Sequence, residues 1–170
     1  MTHPSEAPVT RNPTIYSTPS DRELVITRTF DAPRRLVWAA FTDPKHLPKW
    51  QPSGATMPVC EIDLRAGGTW HYVYRNPQGR EIGVTGTYRE VDPPKRMVQV
   101  TNNHGEENTT TTTFAEDNGR TTVTVSMLFA SQASREQGLR YAKFGTEGSY
   151  TRLDAYLASE MPTNQTENME

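Results

Sequence analysis

A chain of 170 residues is long enough to bury one sizeable core and short for two, so a single domain is expected. Its 18 Lys and Arg stand against 20 Asp and Glu, a net charge of -2, which leaves no basic field able to hold a nucleic-acid backbone. One cysteine, Cys60, excludes an internal disulfide, and no run approaches the ~18 apolar residues of a membrane span.

The chain does not open on a charged-then-apolar signal, and His3, His46, His71 and His104 show no metal-ligand spacing with the thiol. A cytoplasmic protein without metal or cofactor, in contact with neither nucleic acid nor membrane, is the expectation. Residues 1–21 carry four prolines among small polar residues and read as a disordered leader. Residues 160–170 read as a disordered tail, which leaves one domain over 22–159.

ELVITRTF at 23–30 alternates as a first strand, with Leu24, Ile26, Arg28 and Phe30 on one side; Arg28 interrupts that apolar face. In DAPRRLVWAAFTDP, Asp31 can cap, Pro33 suits a first turn, and Leu36, Val37, Ala40 and Phe41 make the apolar stripe of a short helix. PKHLPKW at 44–50 allows only a second, broken helix ending on Trp50 before Pro52.

The period then changes. Strand-like runs fall at 59–65, 69–76, 80–92, 96–102, 109–117 and 120–129, separated by Gly-Gly, Pro-Gln-Gly, Asp-Pro-Pro, His-Gly and Asp-Asn-Gly turns, which predicts an antiparallel meander. From about Ser134 to Glu160, Leu139, Ala142, Thr146, Tyr150, Leu153 and Leu157 recur at helical spacing. Gly145 and Gly148 interrupt that long helix, and close packing or a bend would account for them. The whole predicts a seven-stranded antiparallel sheet curled around one long helix, with two small helices closing an end and room for a cavity.

This order resembles the helix-grip, START-like superfamily, of α+β class, and more closely the family related to the C-terminal domain of the heat-shock-protein ATPase activator. The residues that carry the resemblance are Phe30-Asp31-Ala32-Pro33, Val37-Trp38, Thr42-Asp43-Pro44 and Trp50. Further along they are Asp63-Leu64-Arg65-Ala66-Gly67-Gly68, Glu90-Val91-Asp92-Pro93-Pro94 and Arg152-Leu153-Asp154-Ala155-Tyr156-Leu157. Similar proteins usually have Gly-Trp in the long helix where this chain has Gly145-Thr146. Gln99, Thr101, Thr110 and Thr112 likewise stand where the family is usually bulky and apolar, which implies a wider, more polar cavity.

The Gly67-Gly68 pair precedes a strand, not a helix, so it reads as a turn and not a phosphate cradle. Trp70, Tyr72 and Tyr74 share one face of the next strand, either as core against the long helix or as a cavity wall whose hydroxyls anchor a ligand's polar end. Of the acid–base candidates His71, His104, Asp63, Glu61 and Glu81, none is placed inside by its spacing. Cys60, between apolar neighbours, reads as a small buried hydrophobe, and Asp63 with Arg65 as a surface ion pair.

The preferred expectation is a non-enzymatic or weakly catalytic binder of a small hydrophobic or aromatic molecule between sheet and long helix. Its candidate lining is Trp38, Trp50, Trp70, Tyr72, Tyr74, Tyr88, Gln99, Thr101, Thr112, Met127 and Thr146. The resemblance implies two further readings, a protein–protein module acting on a chaperone ATPase and a polyketide cyclase-like enzyme. Exposed strand edges could also pair two copies as a homodimer.

Overall fold

The computed structural model describes residues 12–103 and 105–159. A first hairpin is made by β1 (Ile15–Ser20) and β2 (Glu23–Phe30), followed by helix α1 (Arg34–Thr42) and one 3-10 turn, Leu47–Lys49. Six strands come next, β3 (Thr56–Ile62), β4 (Thr69–Arg75), β5 (Glu81–Asp92), β6 (Arg96–Asn103), β7 (Glu106–Asp117) and β8 (Arg120–Leu128). The chain then forms helix α2 (Gln132–Ser159).

All strands join one antiparallel sheet in the order β1-β2-β8-β7-β6-β5-β4-β3. The two helical pieces carry the chain from β2 to the far edge at β3. The meander then returns strand by strand until β8 pairs with β2, Leu24 opposite Met127 and Phe30 opposite Thr121.

The sheet has eight strands where seven were expected. The additional one, β1, lies in the segment read as a disordered leader, and it pairs Ile15 with Thr27 and Tyr16 with Ile26. The sequence hides it because an outermost strand with little burial needs no apolar alternation; only Tyr16 is more than marginally covered, and Pro19 is tolerated on an edge. The expected leader over residues 1–11, the tail over 160–170, and His104 lie outside the described residues.

Along β2, Leu24, Ile26, Arg28 and Phe30 are buried and their neighbours are not, as the alternation requires. Asp31 does not cap α1. The N-cap is Pro33, without a side-chain cap, while the Asp31 carboxylate accepts from Arg120 Nε at 2.7 Å and from the Asn12 amide at 3.3 Å.

The buried aromatics Phe30, Trp50 and Tyr150, with half-buried Phe41, form the joint between sheet, α1 and α2, Phe30 lying edge-on to Tyr150 at 5.3 Å between centroids. On α2, Ala142, Ser149, Tyr150, Leu153, Tyr156 and Leu157 are buried.

Arg28 is fully buried on the inner face, held by Glu147 and Asp154 of α2 and by the Thr14 hydroxyl at 2.7 Å. The charge that interrupts β2 is therefore the tie between the first hairpin and α2. Tyr16 adds a second tie, its hydroxyl donating to the Ala142 carbonyl at 3.4 Å.

The expected reading of Gly67-Gly68 is borne out. Gly67 has φ of +84°, and a Cβ on Gly68 would meet the Asp63 carbonyl oxygen at 2.1 Å. The pair locks to β5, Gly67 donating to the Tyr88 carbonyl at 2.8 Å and Tyr88 donating to the Gly68 carbonyl at 2.9 Å.

Candidate functional site: the inner face beneath helix α2

Register decides which side chains face α2. Tyr88, Gln99, Thr110, Met127 and Leu24 follow one another across β5, β6, β7, β8 and β2. The neighbouring row toward the β6–β7 turn holds Trp70, Gly86, Thr101 and Asn108. Leu24 is fully buried, so both rows belong to the inward side.

At the β4–β5 end this face is packed solid. Trp70 lies across Gly86, so closely that a Cβ there would meet the indole at 2.0 Å, and its ring is 5.4 Å from that of Tyr88. Tyr72 is buried beside both, and Tyr74 is half-buried further along.

Toward β6, β7 and β8 the face opens. Gln99, Thr101, Asn108, Thr110 and Met127 are only half-buried, in the same class as the outward-facing Thr109, Thr111 and Ser126. Solvent therefore reaches the inward side here. Opposite, Leu139 and Thr146 on the inward stripe of α2 are also half-buried, and the Cβ position of Gly145 meets nothing within 4 Å. Gly148 is different: a Cβ there would strike the Ser53 hydroxyl at 2.5 Å, so close packing explains one helix glycine and not the other.

The candidate lining thus divides into three. Trp38 packs edge-on to Phe114 at 5.1 Å, and Trp50 donates its indole N–H to the Ala40 carbonyl at 2.9 Å, so both serve the α1 core. Trp70, Tyr72, Tyr88 and Thr112 are buried within the inner face. Tyr74, Gln99, Thr101, Met127 and Thr146 are half-buried.

Two inward residues escaped the candidate lining, Asn108 and Thr110. The signal was present, since period two carries the face of Thr112 back along β7 to both. The Asn108 Oδ1 atom is buried without a hydrogen-bond partner.

The titratable groups at the packed end hold their protons. Burial, reinforced by the neighbouring tyrosines, pushes Tyr72 far up. Burial and the nearby Tyr141 push Tyr74 up to about 12. Burial also raises Tyr88 to about 12 and, with Asp43, Cys60 to about 11. At neutral pH these are uncharged hydrogen-bonding groups and not nucleophiles or bases.

The acid–base candidates lie elsewhere. Glu61 pairs with His71 across β3 and β4 on the outward side, where both border a shallow hollow of about 210 Å³ with Asp63. Asp63 meets Arg65 at 3.0 Å on the surface, and Glu81 meets Arg75 at 2.7 Å. A second hollow, of about 290 Å³, lies by Asn12, Ile15, Thr29 and Arg120. Among the described residues no group of three His, Cys, Asp or Glu is placed to hold a metal. No helix there is long and apolar enough to cross a membrane.

An antiparallel sheet curved beside a long C-terminal helix, with its inner face partly open under that helix, defines a helix-grip protein of the START-like class. The family described as Activator of Hsp90 ATPase homolog 1-like protein matches residues 31–158, and the chain belongs to that family.

Solved structures agree. A protein from Rhodobacter sphaeroides is 27% identical with a TM-score of 0.79, over 87% of this chain and 99% of its own. One from Mycobacterium smegmatis is 27% identical with a TM-score of 0.75, over 86% of this chain and 98% of its own. The fold also recurs in an AHSA1-like protein from Aeromonas hydrophila, 21% identical with a TM-score of 0.65, over 77% of this chain and 92% of its own. No curated protein matches the chain.

Proposed function

We propose that this protein binds a small, largely apolar or aromatic molecule on the inner sheet face beneath the N-terminal half of α2, without transforming it. One observation carries the reading: Gln99, Thr101, Thr110 and Met127 point inward yet are only half-buried. A domain that gains its stability by burying its inner face leaves that part incompletely covered, and Thr146 on the inward stripe of α2 is half-buried as well. The uncharged tyrosines suit recognition better than proton transfer.

The test is titration with the uncharged dye N-phenylnaphthylamine, whose emission rises in apolar surroundings. Saturable binding is expected, and Thr146→Trp, which puts a ring into the gap, should weaken it at least tenfold while the circular dichroism stays the same. Absence of saturable binding, or an unchanged affinity in Thr146→Trp, would overturn the reading.

A second reading, regulation of a chaperone ATPase, draws on the family description and on Tyr141 and Phe144 of α2, which are 79% and 95% exposed. Large rings in water are costly unless a surface covers them. Loss of ATPase stimulation in a Tyr141→Ser, Phe144→Ser double variant would support it; no stimulation by the unaltered protein would remove it.

A further inference from the structure

Among the described residues the exposed large apolar side chains are Ile15, Ile82, Leu128, Tyr141 and Phe144, and three of these five stand together. Tyr141 and Phe144, three residues apart on α2, share a face of the helix and are 79% and 95% exposed. Tyr141 lies close enough to the Tyr74 phenol for the two to interact. Tyr74 pairs across β4 and β5 with Ile82, so both lie on the side of the sheet toward α2, and Ile82 is 56% exposed. Helix and hairpin thus bring three uncovered apolar side chains to one surface. The charges that flank them are positive. Arg140 and Lys143 stand beside the two rings on α2, and Arg80 precedes Ile82 by two residues in the turn that joins β4 to β5. All three are exposed, and among the described residues none forms an ion pair. The nearby acids are otherwise engaged: Glu147 pairs with Arg28 at 3.3 Å, Glu81 with Arg75 at 2.7 Å, and Glu136, one turn before Arg140, accepts from the Gln132 amide at 3.5 Å. A chain of net charge -2 averages these cations away, which is why composition alone predicts no membrane contact.

We propose that this surface docks the protein on an anionic lipid bilayer, with Phe144, Tyr141 and Ile82 at the boundary of headgroups and acyl chains and Arg80, Arg140 and Lys143 against the headgroups. The apolar side chains leave water there, and tyrosine keeps its hydroxyl at the wet level. The cations gain from the negative surface potential while their long stems lie along the rings. A second copy of the chain fits less well, because a two-fold contact would set Arg140 and Lys143 against their own like. A peptide segment fits less well too. The two described hollows lie elsewhere, by Glu61 and His71 and by Asn12 and Arg120, whereas Tyr141 and Phe144 project from the helix, and a fluid surface takes up separate projecting side chains without a matching groove. Docking of this kind needs no helix that crosses the bilayer, and it does not depend on a ligand beneath α2.

Cosedimentation of the full chain with two kinds of vesicle decides it: phosphatidylcholine alone, and phosphatidylcholine with about one third phosphatidylglycerol. Binding about tenfold tighter or more to the mixed vesicles is expected, and it should weaken as salt is raised. Tyr141→Ser with Phe144→Ser should lower that affinity about tenfold or more, and Arg140→Gln with Lys143→Gln should narrow the difference between the two vesicles. Because these side chains are exposed, circular dichroism and the urea midpoint should stay those of the unaltered protein. In Phe144→Trp, lipid with brominated acyl chains should quench the added emission, which locates the side chain within the bilayer. No binding to the mixed vesicles, equal affinity for the two kinds, or undiminished binding by the ring variant overturns the inference. Stimulation of a chaperone ATPase that needs both rings, without vesicle binding, overturns it as well and gives the same surface to a protein partner.

Discussion

Arg28 is the residue in which charge and burial are most sharply opposed. Its side chain is 0% exposed, whereas those of its partners Glu147 and Asp154 are 46% and 37% exposed. Removing the arginine leaves two carboxylates that water can reach; removing both acids leaves an enclosed cation. We therefore expect Glu147→Ala with Asp154→Ala to cost ~3–5 kcal/mol in urea unfolding, and Arg28→Met distinctly less. The reverse order would mean that Arg28 is not held by these acids. A pH dependence belongs to the same scale. Burial raises Tyr74 and Tyr88 to about 12 from the ordinary 10.0 of a phenol and pushes Tyr72 further still. Above pH 10 the unfolded chain gives up phenolic protons that the folded chain keeps, so this contribution to stability is complete below that pH and is lost as pH rises through 12. The urea midpoint should fall between those values, and Tyr72→Phe with Tyr88→Phe should flatten the fall; an equally steep fall in the double variant would place its cause elsewhere.

Within single elements, the glycines separate packing from open space. On α2, Gly145 has helical backbone and nothing near its missing Cβ, so Gly145→Ala should stabilise by ~0.4–1 kcal/mol through the entropy of the unfolded chain. Gly148→Ala, against the Ser53 hydroxyl at 2.5 Å, should gain nothing or lose. On β5, Gly86 lies under the Trp70 indole, and Gly86→Ala should cost ~1–3 kcal/mol, with Trp70 emission shifted to the red as the ring is displaced toward water. An unshifted emission with unchanged stability would contradict the packing of that ring. These distinctions are invisible to pattern alone. Helical periodicity told that 145 and 148 interrupt a helix, but what stands opposite each is set by Ser53, roughly a hundred residues away, and no local rule reaches that far.

At the scale of the molecule, what the sequence made legible follows from which interactions are local. The six-strand meander was readable because each hairpin is set by its own turn chemistry, and α2 because its stripe has one period throughout. Two things were not. Period two put Trp70, Tyr72 and Tyr74 on one face without telling that Gly86 lets the first ring lie across it, so Trp70 and Tyr72 are packed, and the less covered inward residues are the polar Gln99, Thr101 and Asn108. The other is β1, whose place depends on contacts from distant segments: Arg28 to Thr14, Tyr16 to Ala142, and the ladder to β2. This second omission has a consequence for the whole chain. Deleting residues 1–21 would remove the strand that covers β2, take the Thr14 hydroxyl from a buried guanidinium, and leave a row of unpaired backbone groups beside the hydrophobic core. The shortened chain should unfold at lower urea and elute from a sizing column as a larger species at raised concentration, because a second β2 edge is the nearest substitute for β1. The inner face beneath α2 is left in place by the deletion, so its dye affinity, measured below the concentration of self-association, should stay within about threefold of the full chain. A monomer of unchanged stability would show that β1 is an ornament of the sheet and that Arg28 is held by α2 alone.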